Sequence, residues 1–404
     1  MLKFVEDLLQ GAPVEWKKLG EVCDFRHGFS FKASLFKKVG DPVIRIMNIH
    51  DDRVTLENLA YFDRADYTTD LAPWRVQKGD ILIAMSGATT GKIGFVDNDI
   101  PAYINQRVGK FIPDSARLNN RYLFYFLANK VQTIYEMAHG GAQPNLSSSD
   151  LLDNLLIPLP PLPVQEKIVE ILDKFTELEA ELKTELELRK KQYEYYRNKL
   201  LTFGDEVEWK RLGEVCDLRH GFSFKASQFK KGGEPVIRIT NIHDGRISRE
   251  HLAFFDKGDY TTDFASWQVQ KGDILIALSG ATTGKIGFVD SDFIAYINQR
   301  VGKFLPNLTQ LNNRYLFHFL LTQTQTMYDM AHGGAQPNLS SSDLLNNIII
   351  PLPPLSEQAR IVSILDKFNT ITNSLTEGLP REIALRHKQY EYYRDALLTF
   401  PRAT

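Results

Sequence analysis

The chain has 404 residues, 43% of them apolar, with 48 Lys and Arg against 50 Asp and Glu. That is the composition of an ordinary globular protein, and a net charge of −2 excludes the overall basic excess that autonomous DNA binders carry. No apolar run reaches the roughly 18 residues of a membrane-crossing helix, and two cysteines, Cys23 and Cys216, suit a reducing cytoplasm better than a disulfide framework.

The opening MLKFVEDLLQGAP lacks a basic region followed by an apolar core, so no signal peptide is expected. Short β-like runs follow at 43–47, 80–84, 92–96 and 109–112, separated by turn residues at 40–42, 87–91 and 97–99. A helix comes next, with Asn119 or Asn120 as its cap and Tyr122, Leu123, Phe126, Leu127 and Ile134 as one apolar stripe. After a glycine-rich loop and the strand-like NLLIPLPPL, prolines between 158 and 163 end the domain. From 164 to 203 the period changes. Ile168, Leu172, Phe175, Leu178, Leu182, Leu186, Tyr193, Tyr196 and Leu200 stand at helical steps among Glu and Lys. Such a helix is about 60 Å long, at ~1.5 Å per residue.

The whole order then recurs. Residues 16–161 align without a gap on 209–354, with 36 substitutions in 146 positions. Two copies are too few for a solenoid, and each is large enough for its own core. The expected domains are therefore 1–162, a long helix at 163–203, 204–355, and a second long helix at 356–404 interrupted near Gly378 and Pro380. The apolar stripes of two such helices, among them Ile168, Leu172, Leu182, Ile361 and Leu365, are expected to pack on each other. Two nearly equal domains imply a partner with two similar faces.

Catalytic signatures fail on inspection. GATTGK at 87–92 is one residue short of a phosphate-binding loop, and Ile93 stands where a Ser or Thr would hold Mg²⁺; a tight turn fits better. Cys23 and His27 have no second ligand pair at zinc spacing. His139, between Ala138 and a glycine pair, is accompanied by no nucleophile motif. Methyltransferase, nuclease and glycine-rich cofactor motifs are not found, so neither a catalytic residue nor a metal or cofactor site is assigned.

Four polar segments persist in both copies: RHGFSFKAS, SGATTGK, NQRVGK and HGGAQPNL, beginning at Arg26, Ser86, Asn105 and His139 and again at Arg219, Ser279, Asn298 and His332. Arg and Lys reach phosphates or guanine edges, and Asn and Gln pair bidentately with adenine. Local capping by Asn105 or Gln106 and core packing by Phe29 or Phe31 are the competing uses. The DNA-side candidates are Arg26, Lys32, Lys92, Gln106 and Arg107, with Arg219, Lys225, Lys285, Gln299 and Arg300.

The strings GDILIAMSGATTGKIG, NQRV, GGAQPNLS and IPLPPLPVQEKIVEILD, the last echoed as IPLPPLSEQARIVSILD from Ile350, resemble the specificity subunits of type I restriction-modification systems over essentially the whole chain. The resemblance implies an α+β architecture: two pseudo-twofold-related α/β target-recognition domains separated by two long antiparallel coiled-coil helices. It implies a non-catalytic, cytoplasmic subunit that binds double-stranded DNA and docks two modification subunits and the restriction subunits. S-adenosylmethionine, ATP and Mg²⁺ then belong to those partners. Members of the family normally carry two different recognition domains, whereas these are near-duplicates, so the bipartite target is expected to be a palindrome or close to one. A helical scaffold that assembles partners without reading sequence is the alternative, and a sequence-defined footprint separates the two.

Overall fold

A computed structural model describes residues 3–139, 144–243, 245–331, 337–374 and 377–401. The chain forms two compact units, one of residues 1–182 with 383–404 and the other of residues 183–382. Each holds one copy of the repeat together with parts of the long helices, so the unit boundary falls inside helices.

The first unit opens on α1 (Lys3–Leu9) and β1 (Glu15–Lys18), followed by β2 (Cys23–His27), β3 (Asp41–Ile44), β4 (Ile49–His50), β5 (Arg53–Val54) and β6 (Ala60–Phe62). Then come β7 (Ile81–Ala84), β8 (Ile93–Phe95), β9 (Tyr103–Ile104) and β10 (Val108–Pro113). Helices α2 (Asn120–Asn129), α3 (Val131–Glu136) and α4 (Ser148–Asn154) lead to β11 (Leu156–Leu159) and to α5 (Leu162–Leu200). A six-stranded sheet has the order β2-β10-β7-β8-β5-β4, a smaller one β6-β3-β9, and β1 pairs with β11.

The sequence of β7 shows why the six-stranded sheet sits in the middle. All four residues of ILIA are buried, and alternate side chains of a strand face opposite sides. Ile81 and Ile83 join the core formed with α2 and α5, whereas Leu82 and Ala84 join Ile44, Ile49 and Ile104 on the other side. A third cluster, Phe31, Val43, Phe62, Leu71 and Tyr103, is largely aromatic, with Phe29 and Phe31 edge-to-face at 4.9 Å.

Three expectations need correction. The run at 43–47 is a strand only to Ile44. Asn48 is buried, accepts the Arg45 N–H at 3.0 Å and donates to the Glu57 carbonyl at 2.8 Å, which turns Ile46–Asn48 into a 3-10 helix. The apolar stripe from Tyr122 to Ile134 spans two helices, not one, because α2 ends at Asn129. Finally, the long-helix stripe is not simply a seam between helices. Ile168 and Leu172 are fully buried in the first domain's core beside Tyr122 and Leu123, and Leu182 is only half-buried.

Besides the end of α5, the second unit holds α6 (Leu212–Val215), α7 (Asn313–Thr322), α8 (Thr324–Asp329), α9 (Ser341–Asn347) and α10 (Leu355–Asn373); α11 (Gly378–Leu397) follows and ends in the first unit. Helix pairing does occur within each unit. In the first, Phe175 of α5 stacks on Tyr393 of α11 at 5.3 Å and Glu179 meets His387 at 3.1 Å, so these stretches run antiparallel. In the second, Phe368 of α10 stacks on Tyr193 and Tyr196 of α5, while Ile361 and Leu365 enter that domain's core. Gly378, at φ +77°, begins α11, and Pro380 sits in its first turn, where a missing N–H costs nothing. The interruption thus lies just ahead of Gly378.

The second copy repeats the six-stranded sheet with strands Cys216–His220, Val301–Pro306, Ile274–Ala277, Ile286–Phe288, Gly245–Ile247 and Ile242–His243. Its smaller sheet gains a strand, Gln268–Val269, where the first unit has a single bridge between Arg75 and Tyr103.

Candidate nucleic-acid interface

Strand β10 runs antiparallel to both β2 and β7, with Gly109 opposite His27 and Val108 opposite Ala84. The end of β2, the end of β7 and the start of β10 therefore lie at one end of the sheet. Three of the four polar segments leave from there. Gly28 holds the first against the third: a Cβ at that position would come within 2.0 Å of the Asn105 carbonyl oxygen. Phe29 N–H donates to the Ile104 carbonyl at 2.9 Å, and the Ser30 hydroxyl donates to Gln106 Oε1 at 2.7 Å. The second segment is tied in by Met85 N–H, which donates to the Arg107 carbonyl at 2.9 Å. The fourth joins through Gly87 N–H to the Pro144 carbonyl at 3.0 Å and Leu146 N–H to the Met85 carbonyl at 2.8 Å.

GATTGK is the tight turn between β7 and β8. Gly87 and Gly91 take φ near +80°, and buried Thr90 donates its hydroxyl to the Gly87 and Pro144 carbonyls at 2.7 and 3.1 Å. His27 is engaged with the Ser148 hydroxyl at 2.8 Å, and burial pushes the Cys23 thiol up to about 12. A buried thiol of that kind is inert. His139 exchanges backbone hydrogen bonds with Asn145, and its imidazole lies 3.5 Å from Asp150. The expected contributions of residues 140–143 and of His332 through Gln336 lie outside the described residues.

The sequence candidates divide into three places. Lys32, Gln106 and Arg107 are exposed at the loop end, as are Lys225, Gln299 and Arg300 in the second copy, where Ser223 holds Gln299 at 2.5 Å. Arg26 is exposed but turned aside. Its guanidinium donates to the Pro73 carbonyl at 3.0 Å and lines a groove with Gln77, Lys78 and Lys110; Arg219 donates likewise to the Ser266 carbonyl at 3.2 Å. Lys92 and Lys285 stand between the glycine turn and the strand that follows it, and Lys285 lines a cleft beside α5.

Other cations are committed to the fold. Lys37 is held between Asp63 and Asp66 at 3.1 and 2.9 Å, and buried Lys110 pairs with Asp80 at 3.0 Å. Sequence reasoning passed over two further positions. Ser86 Oγ and Arg45 Nε are buried without a partner, and so are their counterparts Ser279 Oγ and Arg238 Nε. A donor left unmet at the same place in both copies calls for an explanation. The only signal in the sequence was that Ser86 opens a retained polar segment.

Known proteins share this organisation. The model of the type I restriction modification DNA specificity domain matches twice, at residues 13–188 and 204–385. The specificity subunit of the Escherichia coli type I restriction enzyme EcoR124I/EcoR124II is 31% identical over 99% of this chain and 98% of its own. That of the Methanocaldococcus jannaschii enzyme MjaVIII is 28% identical over 73% of each. Among solved structures, the type I restriction-modification S subunit of M. genitalium has the same fold, with a TM-score of 0.57 and 18% identity over 98% of both chains.

Proposed function

The chain belongs to the type I restriction-modification DNA specificity family, and from that premise we propose that its two loop ends read the two halves of one bipartite, near-palindromic DNA target. The observation that supports this reading is the duplication of the loop end itself. Ser30 on Gln106 recurs as Ser223 on Gln299, and Gly28 against Asn105 recurs as Gly221 against Asn298. A carboxamide held by a neighbouring hydroxyl is oriented before it meets a base, and a bidentate carboxamide suits adenine. Lys32, Arg107, Lys225 and Arg300 are exposed, and in this reading they take phosphates or guanine edges. Arg26, Lys92, Arg219 and Lys285 serve the backbone at the flanks.

In this reading the chain is a targeting subunit without catalytic chemistry of its own, working in the cytoplasm. Two modification subunits dock on it and bring S-adenosylmethionine; restriction subunits bring the ATP- and Mg²⁺-dependent cutting. Their contacts with DNA supply phosphate attraction that a chain of net charge −2 does not. The test is DNA binding by the assembled complex to random and selected duplexes. Selection of a defined two-part sequence supports the reading. Binding that is indifferent to sequence, with assembly intact, would leave a scaffold instead.

A further inference from the structure

The duplication also exposes a difference. In the second unit a half-enclosed cleft of about 530 Å³ lies between α5, α10 and the strand pair Gly245–Ile247 and Ile286–Phe288. Four cations, Lys190, Arg197, Arg246 and Lys285, line it with one carboxylate, Glu194. Lys190 also meets Glu187 on its own helix at 3.0 Å, whereas Arg197 Nε is buried and meets no acceptor.

The equivalent positions of the first unit carry more carboxylates. Asp52 stands in place of Gly245, Glu179 in place of Thr372, and His387 in place of Lys190. Glu179 pairs with His387 at 3.1 Å. Asp52 is buried enough to push its carboxyl above the usual range, while Arg394 and His387 pull it back. By residue type three cations there, Arg53, Lys92 and Arg394, are balanced by three carboxylates, Asp52, Glu179 and Glu391, although Arg394 Nε is buried without an acceptor as Arg197 Nε is. The same scaffold is thus neutral in one copy and basic in the other, and the removed groups are carboxylates.

We propose that the cleft of the second unit is an anion site for a phosphorylated group of diphosphate size, carried by a free nucleotide or by a DNA strand. Its volume is that of a small-ligand pocket. Arginines take phosphate oxygens through paired N–H groups, and lysines act as point charges. With Lys190 paired to Glu187, the one lining carboxylate, Glu194, leaves two of Arg197, Arg246 and Lys285 uncompensated. Apolar Ile286 and Leu321 supply a wall on which a nucleoside can rest. The site does not depend on sequence reading at the loop ends.

The experiment titrates inorganic pyrophosphate, and separately ADP, into the full-length chain by calorimetry without DNA. The expected result is one site per chain, weakened at least tenfold in Gly245→Asp and in Arg197→Gln. Gly245→Asp is a conservative probe: Asp52 holds the same backbone at φ +59°, and a Cβ at Gly245 meets only ordinary contacts, 3.5 Å from Phe317. Asp52→Gly with Glu179→Thr should open a second site. Added duplex that displaces pyrophosphate identifies a DNA phosphate as the occupant; duplex that leaves it bound identifies a free anion. No binding of pyrophosphate or ADP, or binding unchanged by both cleft variants, overturns the proposal. Sequence preference measured on the same variants reports on the DNA reading separately.

Discussion

The buried carboxamide of Gln165 accepts the Asn119 backbone N–H at 2.8 Å and donates to the carbonyls of Pro160 and Arg117 at 2.8 and 3.0 Å. Asn119 in turn caps α2 through its own side chain, accepting from Arg121 and Tyr122 N–H. Eight residues beyond Gln165, Asp173 accepts Arg121 Nε at 2.9 Å and the Tyr125 hydroxyl. Gln165, Ile168, Leu172 and Asp173 lie on one helical face, so the segment from Pro161 to Asp173 is a clamp that fixes the long helix to the recognition domain. Gln358 repeats the clamp on Asn312, at 2.7 Å.

Replacing Gln165 with Met should therefore destabilise the first unit. The change leaves one N–H and two carbonyls without this partner in a buried place, and an orphaned buried polar group costs about 1–3 kcal/mol. Calorimetric unfolding should show the transition of this unit lowered while that of the second unit stays. An unaltered thermogram would mean that the clamp is ornamental.

The second clamp contains a titratable group. His318 stands where the first copy has Tyr125, fully buried, 2.7 Å from Asp366 and 3.0 Å from the Tyr193 hydroxyl. A carboxylate only accepts, so Nε2–H donates to Asp366 and Nδ1 accepts from Tyr193. Burial lowers the imidazole pKa from 6.5 by more than Asp366 raises it. The unfolded chain therefore binds this proton first on acidification, and stability contributed by neutral His318 is whole above about pH 6.5 and declines below it. The decline ends once the pH has fallen below the folded pKa. His318→Tyr should remove that decline. Thermal unfolding of the two proteins between pH 7.5 and 5.5 should show the gap shifting in favour of the variant as pH falls; a pH-independent gap would contradict the assignment.

How much of this was legible in the sequence depended on what each residue answers to. The repeat and the prolines bounding each domain are local signals, and so is the apolar run at 80–84, which could be read directly. Asn48 could not. Its turn is made by a carbonyl nine residues away, Glu57, and local pattern carries no trace of that. The stripe of α5 was visible as a stripe, but periodicity does not say whether Ile168 and Leu172 meet another helix or a domain core. Among the candidate residues, the exposure of Gln106 and Arg107 at the loop end followed from their polar turn. The aside orientation of Arg26 did not, because it depends on Pro73 in a distant loop.

Alanine at Lys32 and Arg107 together should weaken binding of the complex to every duplex. Each lost phosphate contact should flatten the dependence of log affinity on log salt by about one unit. Gln106→Ala should instead relax preference at one base, by ~1–3 kcal/mol, with the salt slope retained. Affinity followed across a salt series separates these behaviours, and identical profiles for all variants would remove the loop end from the interface.

The central claim is that two near-equal domains read two near-equal half-sites, and the methylated motif tests it most directly. Equal domains that meet the two strands in opposite directions read an inverted repeat. Substitutions such as Met47 to Thr240 and Asn58 to His251 leave room for a difference at about one base, since one bidentate side chain decides one base. Mapping methylated adenines in the genome of a host expressing the complex should return a bipartite motif whose halves are inverted copies, or differ at that single position, around an unread spacer. Halves unrelated in sequence would contradict the account, leaving the duplication as ancestry without functional symmetry.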